Sequence, residues 1–558
     1  MFAVLIVLTL VRIALMLRMP LYAVGNSQYD DYLLAKYADS LANFQWLGPY
    51  TNTTLVKGIS FSIFLALCQM LAIPYPLGLI LLYIFSIIIF LRAIEKLVPG
   101  FRARAIIYVF LLYSPAMFHF TYVQRIYRMA VVPPAVLLVI GCIIGLYQSR
   151  YEKNRTLIAW ALGAGLSISF FWYIREDSVW LMPFIAGAVL ITGICLLIRY
   201  RGQWRKLLLK LVILSLPFFC LYGVKSFISF MNYEHYGIYT VSDRTQGGFA
   251  EFISNLLKVD GDNEREDVWI SREMLNKVME VSPTLNELRE EMNYEYDVVW
   301  GVDGEIQGDL IFWALREAAD IKGCYEQAKT ADEFFARAAR EIGAAFEDGR
   351  LQKKQAFYVS ALGKGLLPKD IPELVKRTLA GLDVVLDYEA MGAKMPTDED
   401  PEGTFHEQMR FLEATTGSLV VYRDNDPLVE KTKGIIWLSN KVIQGYQATA
   451  HLLLIIAGIG AITLTISMLN RLRKKDGSLV PVWFILTGCL ICILALAVGI
   501  AWFTAWMGSD TSARVFYMAG AIPMIQVVEI LAIYTFYQLL KDKLRRKPYD
   551  TAKRELHE

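Results

Sequence analysis

Residues 480–507 read VPVWFILTGCLICILALAVGIAWFTAWM, 28 consecutive positions without an acid, a lysine or an arginine. A helix needs roughly 20 mainly apolar residues to cross a bilayer, so this stretch predicts a spanning helix. The rest of the chain agrees with it. Of 558 residues, 55% are hydrophobic and 20% charged, against about 45–50% and about 25% in soluble domains. Mean hydropathy is +0.38. A soluble enzyme, a disordered chain and a fibrous repeat are excluded. Ten more apolar runs lie near 2–22, 58–73, 77–94, 103–120, 128–148, 156–174, 178–198, 207–228, 447–470 and 513–540. The pattern predicts an all-α polytopic membrane protein.

The net charge of +2 hides an asymmetry. Residues 231–440 hold 23 basic and 40 acidic residues, a net −17, which leaves +19 for the remainder. An acidic water-exposed block is set in a basic membrane block, and the excess fits cytoplasmic membrane flanks better than nucleic-acid binding. The basic loops are Arg92-Lys96-Arg102-Arg104, Arg150-Lys153-Arg155, Arg199-Arg201-Arg205-Lys206, Arg471-Arg473-Lys474-Lys475 and the tail from Lys541 to Lys547. All five face the cytoplasm only if 58–73 does not span. That run is short and ends at Pro74 and Pro76, so it reads as a helix at the outer interface. About ten spanning helices result, seven before the acidic block and three after it, with both termini cytoplasmic. Three regions follow: a seven-helix membrane module at 1–228, a large, mostly helical external domain at 229–440, and a three-helix membrane module with a cytoplasmic tail at 441–558. The expected location is the plasma (inner) membrane. Residues 1–22 carry Arg12 and no small-x-small site, and read as an uncleaved first helix.

Within the acidic block, apolar spacing of three and four over 304–347 predicts helices, with Gly323 and Gly349 as stops. Ser282 before Pro283 predicts a capped helix start. Residues 392–404, rich in Gly, Pro and acids, predict an exposed loop. Only Cys324 of the seven cysteines lies in this block, so it holds no internal disulfide. Cys489 and Cys492 form a C-x-x-C within the quoted run and read as small buried apolar residues rather than a redox or metal pair.

Three short outward segments collect polar residues. After the first helix come Tyr29-Asp30-Asp31-Tyr32 and, further on, Lys57. Adjacent acids can deprotonate a hydroxyl nucleophile or help bind a metal, or simply suit a helix N-terminus. Between the third and fourth spans lie His119, Tyr122, Arg125, Tyr127 and Arg128. The two arginines, three apart, share one face if the stretch is helical. Arginines on an outward loop suit a lipid-linked phosphate or snorkel to the headgroups. Between the fifth and sixth spans lies Arg175-Glu176-Asp177, a costly set unless it pairs or lines a wet cavity. Arg12 raises the same question deeper in the first helix. Asp510 and Arg514 flank the start of the last helix. There is no P-loop, G-x-S-x-G or H-E-x-x-H. With five histidines in the chain, metal binding by clustered His and Cys is disfavoured, whereas acids alone could hold Mg2+ or Mn2+.

Tyr29-Asp30-Asp31, Leu55-Val56-Lys57-Gly58 at the start of the interfacial helix, and the charged outer loops of a seven-helix module make residues 1–228 resemble the GT-C integral-membrane glycosyltransferases. These include protein mannosyltransferases and the aminoarabinose transferases of lipid A. The resemblance implies transfer of a sugar from a polyprenyl-phosphate donor to an external glycan, lipid or protein acceptor of the cell envelope. It implies Asp30 or Asp31 as the catalytic acid residue, and Lys57, Arg125 and Arg128 as donor-phosphate ligands. His119, Arg175, Glu176, Asp177 and Arg514 are secondary candidates. The chain departs from the family in its second outer loop, where His119 and arginines stand in place of an acid. A transporter or flippase of lipid-linked glycan and a non-catalytic envelope scaffold are the alternatives, though the seven-plus-three split shows no matching halves.

Overall fold

The computed structural model describes residues 1–24, 29–261, 265–358, 360, 363–396, 406–420, 427–508 and 511–555. The chain is an all-helical polytopic membrane protein, and among these residues extended pairing is limited to isolated bridges. Among the described residues, eight helices are long and apolar enough to cross a membrane: Tyr75–Ala93, Arg128–Gln148, Asn154–Trp172, Ser178–Arg199, Trp204–Tyr236, Val429–Arg473, Val480–Met507 and Ala521–Leu544. Phe2–Leu17 is apolar but shorter, and Ser60–Met70, with 11 residues, is too short to cross, as its sequence implies.

One expected span is broken. The run at 103–120 holds a helix only over Phe101–Leu112, 12 residues. Pro115 follows at once, and the chain continues as a 3-10 turn at Pro115–Met117 and a π turn at Phe120–Gln124. Helix resumes through a 3-10 turn at Arg128–Val131 into Val132–Gln148, whose first turn accepts Pro133 and Pro134 because its N–H groups lack partners in any helix. Hydropathy alone does not register the break, because the irregular stretch is as apolar and as buried as a helix.

The residues between 229 and 440 divide between two cores. Phe249, Phe252, Leu256, Phe312, Phe334, Phe335 and Ile342 belong to a self-contained helical core. Gly323 and Gly349 end its helices in left-handed conformations (φ 76° and 80°), and the Ser282 side chain caps Pro283–Asn286 by accepting from the Leu285 N–H. Val385, Tyr388, Met391, Ala393, Met409, Leu412 and Val420 instead join the core of the membrane helices. The exposed loop expected at 392–404 is partly buried over its described residues, 392–396: Lys394 is exposed, but Ala393 packs in the bundle, and its backbone pairs on both sides with the Asn440 amide. A third cluster, with Tyr37, Trp46, Leu55, Val56, Tyr173 and Trp313, joins the two cores. All seven cysteines are unpaired, and Cys489 and Cys492 are buried in their helix.

Candidate functional site

The Asp31–Ala42 helix begins with an acid, which suits the positive end of the helix dipole. Asp31 is fully buried. Arg125 grips it with two nitrogens (Nε to Oδ2 3.0 Å, Nη2 to Oδ1 2.7 Å), and the Val24 N–H donates to Oδ2 at 2.9 Å. Burial pushes this carboxyl up while Arg125 pulls it back. The pair holds Arg125 firmly protonated against the burial that opposes it.

Asp30, one residue earlier, faces the other way. Its Oδ1 accepts from Lys57 Nζ at 2.6 Å and from the Tyr127 hydroxyl at 2.9 Å. The side chain is 36% exposed, and Oδ2 has no partner among the described residues. Burial alone would raise this carboxyl. The charges of Lys57, Arg125 and Arg128 outweigh it and hold the group well below the usual carboxylate range.

Lys57 is placed by a tight passage of chain. A side-chain carbon at Gly58 would lie 2.4 Å from the Tyr173 carbonyl oxygen, so only glycine fits. The Gly58 N–H donates to Glu176 Oε1 at 3.0 Å and the Ser60 N–H to the Tyr173 carbonyl at 3.0 Å. Leu55, in the left-handed region at φ 67°, is held by the Asp243 N–H, which donates to its carbonyl. The 55–60 and 173–176 segments are thus clamped together.

Arg125 and Arg128 do not share a helical face. Residues 125 and 127 are extended, and the two guanidinium groups flank the Tyr127 ring at 4.7 Å and 5.5 Å from its centre. Arg128 Nη1 reaches both Glu176 oxygens at 3.0 Å. Glu176 is lowered to about 2; burial opposes this, but Arg128, Lys57 and Arg244 prevail. Arg175 pairs bidentately with Asp177 (2.7 and 2.6 Å) and lies over the Tyr517 ring at 4.7 Å. A fifth, looser pair, Arg244 with Asp309 at 3.7 Å, comes from the 248–351 side and its approach, where Lys57 also lies 5.3 Å from the centre of the Trp313 ring.

Asp30, Asp31, Lys57, Arg125, Arg128, Arg175, Glu176 and Asp177 therefore converge. His119 and Arg514 do not join them. His119 is buried, with Nδ1 placed to accept from the Gly392 N–H (3.1 Å) in one tautomer or to donate to the Gly392 carbonyl (3.2 Å) in the other, which ties the 388–395 segment down. Arg514 turns back on the Gly508 carbonyl at 3.3 Å, while its neighbours Phe516 and Tyr517 supply rings to the cluster. Asp510 lies outside the described residues. Arg12 is buried beneath the Phe118 ring and donates to the Leu112 and Met117 carbonyls.

A cavity of about 450 Å³ adjoins the cluster, lined by Gly58, Arg175 and Glu176 at one side and by Phe218, Tyr222 and Lys225 of Trp204–Tyr236 at the other. Among the described residues Lys225 makes no ion pair. Lys225, Arg244 and the aromatic rings escape a motif-based reading. The signal for Lys225 was a lysine near the end of an apolar run.

Among the described residues no group of three or more His, Cys, Asp or Glu converges as a metal site. Asp30 and Asp31 each face a cation, so binding a divalent ion would require giving up Lys57 or Arg125. The donor set does not fit Mg2+ or Mn2+. No family model, curated protein or solved structure matches this chain.

Proposed function

We propose that the protein is a membrane glycosyltransferase of GT-C type that moves a sugar from a polyprenyl-phosphate donor to an acceptor of the cell envelope. The observation that carries this reading is Asp30: an ionised, partly exposed carboxylate with a free oxygen, beside a cluster of cations and a cavity that reaches the apolar face of a spanning helix. On this reading the helical core over 248–351 lies on the outer side of the plasma membrane and both termini are cytoplasmic, in keeping with the basic loops.

The cavity suits a lipid phosphate. Its Phe218 and Tyr222 rim is exposed toward the acyl region, where an isoprenoid chain would lie. Lys225 and Arg175 stand at the polar end for the phosphate. Asp30 Oδ2 accepts the acceptor's O–H proton as that oxygen attacks the anomeric carbon. The new C–O bond forms, the C–O bond to phosphate breaks, and polyprenyl phosphate leaves with the negative charge, opposite the cations. With Lys57 bound, Asp30 is a weak base. A donor phosphate that competes for Lys57 makes Asp30 more basic once the donor is in place. Arg125 and Arg128, saturated by the more buried Asp31 and Glu176, act as scaffold; Lys225 is the first phosphate ligand, joined by Lys57 and Arg175, whose partners Asp30 and Asp177 are 36% and 40% exposed and can turn to solvent.

The test is mass spectrometry of lipids that co-purify with the wild type, Asp30→Asn and Lys225→Ala. A glycosylated polyprenyl phosphate should accumulate in Asp30→Asn, which retains the donor site but not the base, and should be depleted in Lys225→Ala. Absence of any polyprenyl species, or the same species unchanged in all three proteins, overturns the reading.

A further inference from the structure

The membrane bundle contains a second polar locus, remote in sequence from the cluster and not used by it. Gln526 and Glu529 lie three apart on the Ala521–Leu544 span, so they project on one face. Gln526 is fully buried and Glu529 is 2% exposed. Among the described residues neither oxygen of Glu529 has a hydrogen-bond partner, and the Gln526 amide meets no polar group other than the Tyr388 hydroxyl. Tyr388, on the segment that enters the bundle, is fully buried, and its hydroxyl in turn meets only the Gln526 side chain.

The groups that face Glu529 are Tyr388 and Tyr446, with Tyr83 beyond them. Tyr446 gives its proton to the Phe110 carbonyl, and Tyr83 gives its proton to Leu111 at 2.7 Å. Both hydroxyls can therefore only accept toward Glu529. Among the described residues no lysine, arginine or histidine pairs with this carboxylate.

A lone ionised carboxylate inside a bundle is costly, and such residues mark ion or proton sites when no partner is present. What is missing is one positive charge. The ligands available are all hard oxygens: two from Glu529, one from Gln526 and those of the tyrosines. With one carboxylate the set matches a singly charged ion, since divalent sites draw on more anionic ligands.

We propose that Glu529, Gln526 and Tyr388 form a monovalent-cation site within the membrane bundle, which holds Na+ on the ionised carboxylate and exchanges it for the carboxyl proton. The exchange balances: Glu529 carboxylic acid plus Na+ gives sodium carboxylate plus a proton released to solvent. This inference is independent of the transferase reading.

The experiment uses the full-length protein in lipid nanodiscs at pH 8. NaCl, but not choline chloride, should raise the melting temperature of the wild type and saturate. Glu529→Gln, a neutral near-isostere, should abolish the response. Gln526→Ala should weaken the apparent Na+ affinity about tenfold or more, the loss that removal of even an outer-shell partner brings. The infrared band of the protonated Glu529 carboxyl, identified by its loss in Glu529→Gln, should disappear from the wild type as Na+ is added. The wild type alone yields this disappearing band, so the proposal stays testable if the variants do not fold. A wild type indifferent to Na+, Li+ and K+ overturns the proposal. So does an equal response in Glu529→Gln, or a protonated carboxyl band that persists in Na+.

Discussion

At the scale of single residues, two adjacent aspartates have opposite situations. Asp31 is buried with both oxygens engaged, and Asp30 is half-open with one oxygen free. Their substitutions should separate. Asp31→Asn leaves Arg125 without its counter-charge in a buried setting, a change that costs about 3–5 kcal/mol. A thermal melt in detergent should show that loss. Asp30→Asn leaves the buried Lys57 without its counter-charge and should also melt lower, but by less, because Asp30 itself is 36% exposed; the proposed transfer should fall by a factor of roughly 100 or more, the range of a general base. The acid pair itself was legible in the sequence as Tyr29-Asp30-Asp31. The division of labour was not, because it depends on which cation reaches which carboxylate from segments some 27 to 94 positions away. Arg125 and Arg128 were legible as cations that need a reason to be where they are. Their partners were hidden, and the condition for a shared face, a helix between them, is not met: residues 125 and 127 are extended, and the two side chains reach different acids.

At the scale of elements, the broken stretch after Phe101–Leu112 and the 388–395 segment support each other. Neither satisfies its backbone within a regular helix, and a buried peptide group must find a partner. Phe120 N–H donates to the Gly392 carbonyl, Gln124 pairs with Lys394 on both sides, and Gln447 donates to Tyr388. His119 closes the joint at Gly392. Burial lowers its imidazole to about 4, from an ordinary value of 6.5. A protonated Nδ1 gives up the Gly392 N–H but can donate to the Gly392 carbonyl at 3.2 Å, so burial of the charge, rather than loss of the hydrogen bond, is what opposes protonation. The stability contributed by the neutral ring is complete above about pH 6.5 and is lost as the pH falls from there towards 4, up to about 3 kcal/mol. Melting temperatures from pH 7 to 4 should therefore fall more steeply in the wild type than in His119→Gln; equal slopes would show that the histidine does not hold the joint. The eight long spans found among the described residues were legible from run length, and so was the shortness of Ser60–Met70, although that helix stops before Pro74 and the two prolines instead open Tyr75–Ala93. The break at Pro115 was not, because window hydropathy averages over a proline, and this break is held by side chains from distant parts of the chain.

At the scale of the whole molecule, the 248–351 core is tied to the bundle by a few strong contacts. Arg316, almost fully buried, donates to Asp243 Oδ2 at 2.8 Å and to the Asn52 carbonyl at 2.6 Å. Asn52 lies five residues before Lys57, and Trp313 packs over Lys57 from the same helix that carries Arg316. Arg316→Met removes one member of a buried pair and leaves Asp243 uncompensated, so a loss of about 3–5 kcal/mol is expected. Limited proteolysis should cut the variant faster between residues 237 and 247; unchanged cutting would mean that this pair does not hold the two cores together. The acidic block was legible as a separate body from its charge. That its described residues from Val385 onward pack into the membrane core was not, because Tyr388, Met391 and Ala393 look no more apolar in sequence than surface loop residues do.

The ion pairs of the site have one more consequence. Five cations face five acids, Lys57 with Asp30, Arg125 with Asp31, Arg128 with Glu176, Arg175 with Asp177 and Arg244 with Asp309. Seen from more than a Debye length away, about 8 Å at physiological ionic strength, these five pairs cancel, and what the cavity shows an approaching anion is the charge of Lys225. The paired cations are met only on arrival, when a charged ligand exchanges places with an acid already at its post, so salt should weaken the first encounter through Lys225 and leave the later local rearrangement nearly untouched.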